Sequence, residues 1–433
     1  FPVGQGIAFT NDSGDVNLTI SNNRILRNLN QGILLTDING TVNIDSNTIT
    51  DTEGNLSVIT AAGLGALDFS ALTNITAIDD FSNQAALDTM ADLIASDLPT
   101  GQGIVVATAP NALSLIINNN EISNNHSQGI ALDSLVDGTV AIIGNTITGT
   151  SGAFINNGSF PTGQGILAIH DEGNLNLDIL ENNQVSDNFE DGIAIVVGDP
   201  SGTVTGITAA INIDGNTVTN NGMNTLDSTS NDIRGDGIRI FLEGDVAVNS
   251  LNVRNNTITG NQDDGIQISQ GDLTLVATNN NNGGTSLLNN ATISGNTIEE
   301  QVQQGINVRS SGGIANLTIE NNPSISRNGG EGIFINAGGT VTGTAQLNTD
   351  VQLNTLTDNH PNNILLFGLS GIAINGGRLC INLDDNNSST NYLLTNNMST
   401  LEVESLADVD MRNAGVVGFL PPMVAAVNAV NCF

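Results

Sequence analysis

One short phrase recurs along this chain: a polar residue followed by glycine and isoleucine. An aliphatic residue commonly stands seven positions before the glycine. Each turn also contains three short runs rich in Ile, Val, Leu or Thr that end at Asn, Gly, Asp or Ser, which is typical of short strands joined by turns. In the first turn the pattern predicts strands over 7–10, 16–20 and 24–26. The phrase occurs at Gly6, Gly32, Gly103, Gly129, Gly165, Gly192, Gly237, Gly265, Gly305, Gly332 and Gly371.

The spacing of these glycines indicates a coil. Consecutive glycines lie 26 to 28 or 36 to 45 residues apart, with one gap of 71. Three strands per turn predict a solenoid of parallel strands, in which each residue stacks on its counterpart about 4.8 Å along the axis. We expect the isoleucine to face a narrow aliphatic interior and the glycine to allow a bend that a Cβ atom would obstruct.

Asparagine recurs at two positions of the turn, two residues before and three residues after the aliphatic residue. Asn tolerates left-handed backbone at corners, and stacked Asn side chains can form amide ladders. Pro323 replaces Asn at the first position in one turn. A distortion or an outward-facing backbone N–H position is expected there, because proline donates no backbone N–H.

These motifs resemble the repeats of the right-handed parallel β-helices of the pectate-lyase-like group. The repeated Asn-Thr-Ile-Thr and Gln/Asp-Gly-Ile phrases, over about residues 4–385, carry the resemblance. It implies an all-β, right-handed parallel β-helix solenoid of about eleven coils. It implies no single function, because the group includes polysaccharide lyases and hydrolases, phage tailspikes, adhesins and surface rods.

Two segments depart from the repeat. Residues 51–101 are the largest insertion in a predicted domain over 1–375, and helical spacing over 82–96 predicts a short helix on the flank of the solenoid. Residues 376–433 predict a C-terminal capping segment, which resembles the closing segment of large bacterial surface β-helix proteins. Cys380 and Cys432 bracket this segment and are predicted to form a disulfide, which fits an oxidising compartment. Two buried free thiols are the alternative.

The charge balance is unusual because bases are scarce. The 433 residues include nine Lys or Arg and 44 Asp or Glu, giving a net charge of −35, and none of the nine is lysine. This balance argues against nucleic acid and anionic membranes as partners, and it favours an extracellular or cell-surface location. The apolar stretch 414–429 is too short, and too broken by prolines, to span a bilayer.

An acidic column is the strongest candidate site. Asp191, Asp236 and Asp264 precede Gly-Ile in three successive turns, Glu331 does so two turns further on, and Glu190 and Asp263 flank the column. Stacking would place these carboxylates on one face, where they could bind Ca²⁺, the one cofactor that the sequence suggests. A catalytic carboxylate pair, or solvated acidic corners offset by Arg239, are the alternatives.

The start of the chain enters the repeat without a cap. An uncapped coil exposes apolar side chains and unpaired strand edges, so we expect either that upstream residues have been removed or that another molecule covers this end. A head-to-tail contact between copies is heterologous and generates filaments. The residues expected at that contact are Phe1, Pro2, Val3 and Ile7.

The sequence therefore favours a non-enzymatic extracellular structural protein that assembles end to end, with copies of itself, into a fibre or surface layer. Two alternatives stay open. One is a lyase or glycoside hydrolase that acts on extracellular polysaccharide through the acidic column. The other is an adhesin that binds glycan through its insertions.

Overall fold

The structure is a computed structural model of the 433-residue chain. It describes all residues except 1–4, 12–13, 54–100, 110–112, 156–159, 199–203, 223–234, 272–285, 339–344, 360–366, 390, 398, 404–416 and 420–433. The described residues form strands and no helix, and the helix predicted over 82–96 lies outside them. The chain forms two compact units, the first comprising 1–197 and 216–235 and the second 198–215 and 236–433.

The first unit contains three parallel sheets and one antiparallel pair, β13 with β14. Its first sheet has the order β1-β4-β7-β10-β15-β18, its second β2-β5-β8-β11-β16 and its third β3-β6-β9-β12-β17-β20. The strands in chain order, of which β19 belongs to the second unit, are β1 (Ile7–Thr10), β2 (Val16–Ser21), β3 (Arg24–Leu26), β4 (Ile33–Thr36), β5 (Gly40–Asp45), β6 (Thr48–Thr50), β7 (Ile104–Ala109), β8 (Leu113–Asn118), β9 (Glu121–Ser123), β10 (Ile130–Leu135), β11 (Asp137–Ile143), β12 (Thr146–Thr148), β13 (Ala153–Ile155), β14 (Phe160–Thr162), β15 (Ile166–His170), β16 (Asn174–Leu180), β17 (Gln184–Ser186), β18 (Ile193–Val197), β19 (Ile207–Asp214) and β20 (Thr217–Thr219).

The second unit repeats this arrangement. Its first sheet has the order β21-β24-β27-β30-β33-β36-β38, its second β19-β22-β25-β28-β31-β34-β37 and its third β23-β26-β29-β32-β35. Its remaining strands are β21 (Ile238–Leu242), β22 (Val246–Arg254), β23 (Thr257–Thr259), β24 (Ile266–Gln270), β25 (Leu287–Ser294), β26 (Thr297–Glu299), β27 (Ile306–Ser310), β28 (Ile314–Glu320), β29 (Ser324–Ser326), β30 (Ile333–Gly338), β31 (Gln346–Gln352), β32 (Thr355–Thr357), β33 (Phe367–Ile374), β34 (Arg378–Asp384), β35 (Asn387–Ser388), β36 (Asn391–Asn397), β37 (Thr400–Val403) and β38 (Val417–Phe419).

Both units have the architecture of a parallel β-helix, in which three strands form one coil and each strand pairs in parallel with its counterpart in the next coil. The described third sheets have six and five strands, which matches the prediction of about eleven coils. The three strands predicted for the first coil are confirmed, with β2 one residue longer than expected. Short strands suit this fold because every coil needs three corners.

Aliphatic stacks fill the interior of each unit. In the third sheet the central residue of each three-residue strand points inward, and Ile49, Ile122 and Ile147 are fully buried in successive coils. The isoleucine after each repeat glycine behaves likewise, as Ile104 and Ile130 show. Each buried aliphatic side chain contributes about 1.5–3 kcal/mol relative to leaving it exposed.

Each unit contains the predicted amide ladder. In the first unit each Asn donates from Nδ2 to Oδ1 of the Asn in the next coil, at 2.8 to 3.1 Å, along Asn23, Asn47, Asn120, Asn145, Asn183 and Asn216. In the second unit the same ladder follows Asn256, Asn296, Asn322, Asn354 and Asn386. The ladder is not interrupted in the turn with Pro323, because Asn322 takes the position there.

The repeat glycines are required for close packing rather than for an unusual backbone angle. A Cβ atom on Gly103 would lie 2.6 Å from the backbone oxygen of Gly129 and 2.6 Å from Cγ2 of Ile122. The corresponding distances at Gly265 are 2.6 and 2.5 Å. None of the ten repeat glycines from Gly6 to Gly332 has positive φ, so the expected bend is in fact a site of close approach between coils.

The coil pattern continues further along the chain than the sequence indicated. Strands β34, β36 and β37, within the predicted capping segment, still pair in parallel with the preceding coils. The eleventh glycine phrase is also displaced: Leu369, not Ile372, aligns with Ile333, so Gly368 rather than Gly371 is the counterpart of Gly332.

Candidate functional site

The acidic column predicted from the sequence is a three-carboxylate group in the second unit. Asp236 and Asp264 end the corners that lead into β21 and β24, and Gly237 N donates to Asp264 O at 2.9 Å, which places the two corners in adjacent coils. Carboxylate oxygens of Asp236, Asp263 and Asp264 lie within 4.8 Å of one another. Asp236 and Asp264 are buried and Asp263 is half-buried.

Backbone and side-chain donors bind the two buried carboxylates. Asp264 N donates to Asp236 Oδ1 at 2.9 Å, and Gln304 N donates to Asp264 Oδ1 at 2.8 Å. Asn307 Nδ2 donates to Asp264 Oδ2 at 2.5 Å. Arg239 Nε lies 3.7 Å from Asp236 Oδ2. Each carboxylate is therefore fixed from the next coil, and Asp236 also has a cation beside it.

Burial dominates the electrostatics of Asp264. Loss of solvent raises the pKa of Asp264 to about 6, against the opposing effects of the Asn307 hydrogen bond, the Arg309 and Arg239 guanidinium groups and the Gln304 amide. Arg309 reaches the site indirectly, because its Nε donates to Asn307 Oδ1 at 3.1 Å. A carboxyl group with this pKa exchanges a proton near neutral pH.

The group has some features of a calcium site and lacks others. Ca²⁺ takes six to eight oxygen ligands at 2.3–2.6 Å, and three carboxylate oxygens within 4.8 Å can converge on one ion. However, the Arg239 guanidinium and the Asn307 amide already face Asp236 and Asp264. A calcium role stays a prediction.

Asp191 belongs to the first unit and is not part of the three-carboxylate group. It is buried, and its backbone oxygen accepts from Gly165 N at 3.0 Å. The column in the first unit is mostly amide: Gln128 donates to Gln164 at 3.2 Å, and Gln164 donates to Glu190 at 2.5 Å. Asp263, noted in the sequence as a flanking residue, supplies the third carboxylate.

Asn307 was not anticipated from the sequence. It follows the repeat isoleucine of β27 and occupies the position of Gln267 and Arg239 in the neighbouring coils. The strand register could have identified Asn307, because the residue after the repeat isoleucine lies beside the carboxylate of the preceding coil. In most coils, however, nothing in the sequence marks this residue as functional.

The remaining predicted site residues are less informative. Ile7 is half-buried on β1, whereas Phe1, Pro2 and Val3 lie outside the described residues. Cys380 is buried on β34, but Cys432 also lies outside them, so the Cys380–Cys432 bond stays a prediction. Within the described part of the chain, no helix has the length and apolarity needed to cross a membrane.

Comparisons with known proteins assign neither a family nor a function to this chain. No family model matches this chain, and no curated protein matches it. Among solved structures, the chain is similar to one described as the crystal structure of Dettilon tailspike protein (gp208), at 13% identity and a TM-score of 0.44. The match covers 95% of this chain and 61% of the tailspike chain. At this level of similarity we take neither function nor residue roles from it.

Proposed function

We propose that this protein is an extracellular structural protein whose copies stack end to end through the first coil. The observation that carries the proposal is the exposure of that coil. Its inward side chains are half-buried at Ile7, Phe9 and Leu18. Their counterparts in the second coil are fully buried: Ile33, Leu35 and Val42.

The backbone of the first coil supports the same proposal. Strands β1, β2 and β3 each stand at the end of their described sheets, and an exposed sheet edge is a template for another strand. Within the described residues, the amide ladder begins at Asn23. Every later Asn of the first unit's ladder accepts from the coil before it, but Asn23 Oδ1 has no donor from an earlier coil among the described residues.

Any chain that covers this edge must present strands in the same register, with an aliphatic interior and an amide at the ladder position. In an end-to-end contact the last coil of a second copy would have to meet these requirements, and the aliphatic and amide pattern recurs along the repeat. The net charge of −35 opposes association, so screening by salt or divalent cations should favour it. We therefore expect filaments that form more readily with calcium.

Two variants of one strand test this function. Leu18→Asp places a charge on the inward face of β2, whereas Asn17→Asp places the same charge on its exposed face. Negative-stain electron microscopy should show filaments for the parent and for Asn17→Asp, and isolated particles for Leu18→Asp. Circular dichroism of both variants checks that the solenoid is retained. Filaments that persist in Leu18→Asp, or a parent that never assembles, would overturn the proposal.

A second candidate function rests on the three-carboxylate group. Glycoside hydrolysis uses one protonated and one ionised carboxyl group. Burial raises the pKa of Asp264 to about 6, and the neighbouring Asp236 has its Oδ2 3.7 Å from Arg239 Nε. We expect Asp264→Asn to abolish release of reducing ends from a polysaccharide that the parent cleaves. If neutral and acidic polysaccharides remain intact with the parent protein, this candidate is rejected.

A further inference from the structure

A surface cavity of about 360 Å³ lies in the first unit, where the strands of the third sheet end. Successive coils contribute residues from the same corner, two to four positions after the buried aliphatic residue of each strand. The side chains used below are Arg27, Asp51, Thr52, Glu53, His126 and Ser151.

The charged side chains of this cavity are not paired with one another. Arg27 and Asp51 occupy equivalent corner positions in adjacent coils, since Arg27 N bonds to Thr50 O and Asp51 directly follows Thr50. Neither forms an ion pair with a described residue, and neither does Glu53. The second unit provides a comparison at the same corner. There Arg327 forms an ion pair with Glu300 of the adjacent coil, with 3.0 Å between Nε and Oε1. In the first unit the cavity lies where this contact would form.

Asp51 Oδ1 accepts from Asn124 Nδ2 at 3.4 Å. Two neutral side chains of the cavity each have a buried polar atom without a partner among the described residues. Thr52 is 1% exposed, and its hydroxyl has no hydrogen-bond partner among the described residues. Thr52 stands at the other recurring asparagine position of the turn, three residues after the aliphatic residue, where the neighbouring coils have Asn28 and Asn125. Its shorter side chain does not reach either amide. Buried hydroxyls are normally hydrogen-bonded, so a ligand or water is expected there.

His126 provides the second such group. Its Nδ1 lies 3.2 Å from Ser151 Oγ, and its Nε2 is buried without a partner. Burial lowers the pKa of His126, which favours the neutral ring, and Nε2 is available for one hydrogen bond. Thr52 and His126 therefore form the inner wall, while Arg27, Asp51 and Glu53 supply the charges.

We propose that this cavity binds a small zwitterion of the α-amino acid class, with its carboxylate at Arg27 and its ammonium group at Asp51 and Glu53. An anion without the ammonium group would meet two carboxylates in a protein of charge −35. A cation without the carboxylate would leave Arg27 uncompensated beside it. The volume lies at the lower end of the range for small-molecule sites, which suits an amino acid or dipeptide.

A metal ion is a poorer fit for this cavity. Asp51, Glu53 and His126 do not bring ligand atoms together at metal-binding distances, because within the described residues the only group of three such ligands is the one at Asp236, Asp263 and Asp264. Arg27, which forms no ion pair with a described residue, also opposes a cation alone. Charges of both signs therefore favour a ligand that carries both.

Isothermal titration with three related probes tests the assignment: L-alanine, L-alaninamide, which lacks the carboxylate, and N-acetyl-L-alanine, which lacks the cation. L-alanine should bind saturably with one site per chain, and each of the other probes should bind about tenfold more weakly or not at all, since a charge-assisted hydrogen bond is lost. Arg27→Gln and Glu53→Gln should each weaken L-alanine binding by a similar factor. Both residues are exposed, so neither variant should perturb the fold.

Arg327→Gln is the matched control, because it removes an arginine from the same corner in the second unit. It should leave L-alanine binding unchanged. Absence of saturable L-alanine binding to the parent, equal binding of all three probes, or an effect of Arg327→Gln equal to that of Arg27→Gln would each overturn the assignment. None of these results depends on whether the protein forms filaments.

Discussion

The amide ladder makes a quantitative prediction at Asn120, which is 1% exposed. Its Nδ2 donates to Asn145 Oδ1 at 3.0 Å and to Ile44 O at 2.9 Å. Its Oδ1 accepts from the backbone N of Asn47 at 2.9 Å and from Asn47 Nδ2 at 3.0 Å. Asn120→Ala removes all four contacts at once, inside a region that water does not reach.

The size of the effect follows from the groups left behind. In the variant the backbone N–H of Asn47 and one hydrogen of its Nδ2 lose their acceptor, whereas the bond from Asn47 Nδ2 to Ile20 O is retained. Each buried donor without a partner costs about 1–3 kcal/mol. Together with the small cavity at Asn120, the substitution should destabilise the surrounding coils by about 3–6 kcal/mol.

Native-state hydrogen exchange measures this loss directly. The amide of Asn47 should exchange far faster in Asn120→Ala, because its acceptor is removed, and the denaturation midpoint should fall. A solenoid need not unfold as one cooperative unit, so exchange is a better measure than a single melting temperature. Asn176→Ala, on the exposed face of β16, is the control and should change stability by less than about 0.5 kcal/mol. Equal exchange at Asn47 in the two variants would refute the ladder as a stabilising element.

Three further predictions concern packing, pH and oxidation. Gly103→Ala should destabilise the first unit by several kcal/mol, because its Cβ would lie 2.6 Å from a backbone oxygen, whereas Gly338→Ala, with its nearest neighbour at 3.5 Å, should be close to neutral in chemical denaturation. Burial raises the folded-state pKa of Asp264 from its unfolded value of 3.8 to about 6. Its contribution of about 3 kcal/mol to the free energy of unfolding is therefore fully present below pH 4 and is lost as the pH rises through 6. Thermal unfolding should show this pH dependence in the parent and not in Asp264→Asn. The intact mass of the purified chain should be lower by two hydrogens than that of the reduced chain, if Cys380 and Cys432 are bonded as predicted.

The sequence predicted the parallel coils well because their determinants are local and repeated. The strands of the first coil and the ladder positions of Asn47 and Asn120 follow from the pattern of aliphatic, amide and glycine residues. The turn with Pro323 was predicted less well, because the ladder requires only that an amide reach the next coil, and Asn322 does so from one residue earlier. The sequence at Gly371 likewise matches the repeat phrase, but its strand pairing is displaced, since Leu369 rather than Ile372 aligns with Ile333.

The candidate site was predicted only in part. Stacking correctly placed Asp236 beside Asp264, because adjacent coils put equivalent residues together. The environment of the pair could not be read from the same pattern: Asn307 lies 43 residues after Asp264, and burial, which raises the Asp264 pKa, is a property of the assembled coil. The unpaired charges around Arg27 were also invisible in sequence, since Arg327 at the same corner is paired.

The most direct test of the central claim is negative-stain electron microscopy of the purified protein, first with millimolar calcium and then with chelator. The account predicts filaments with a regular axial repeat in the parent and in Asn17→Asp, fewer in chelator, and none in Leu18→Asp. Separate particles of the parent under both conditions would contradict assembly through the first coil.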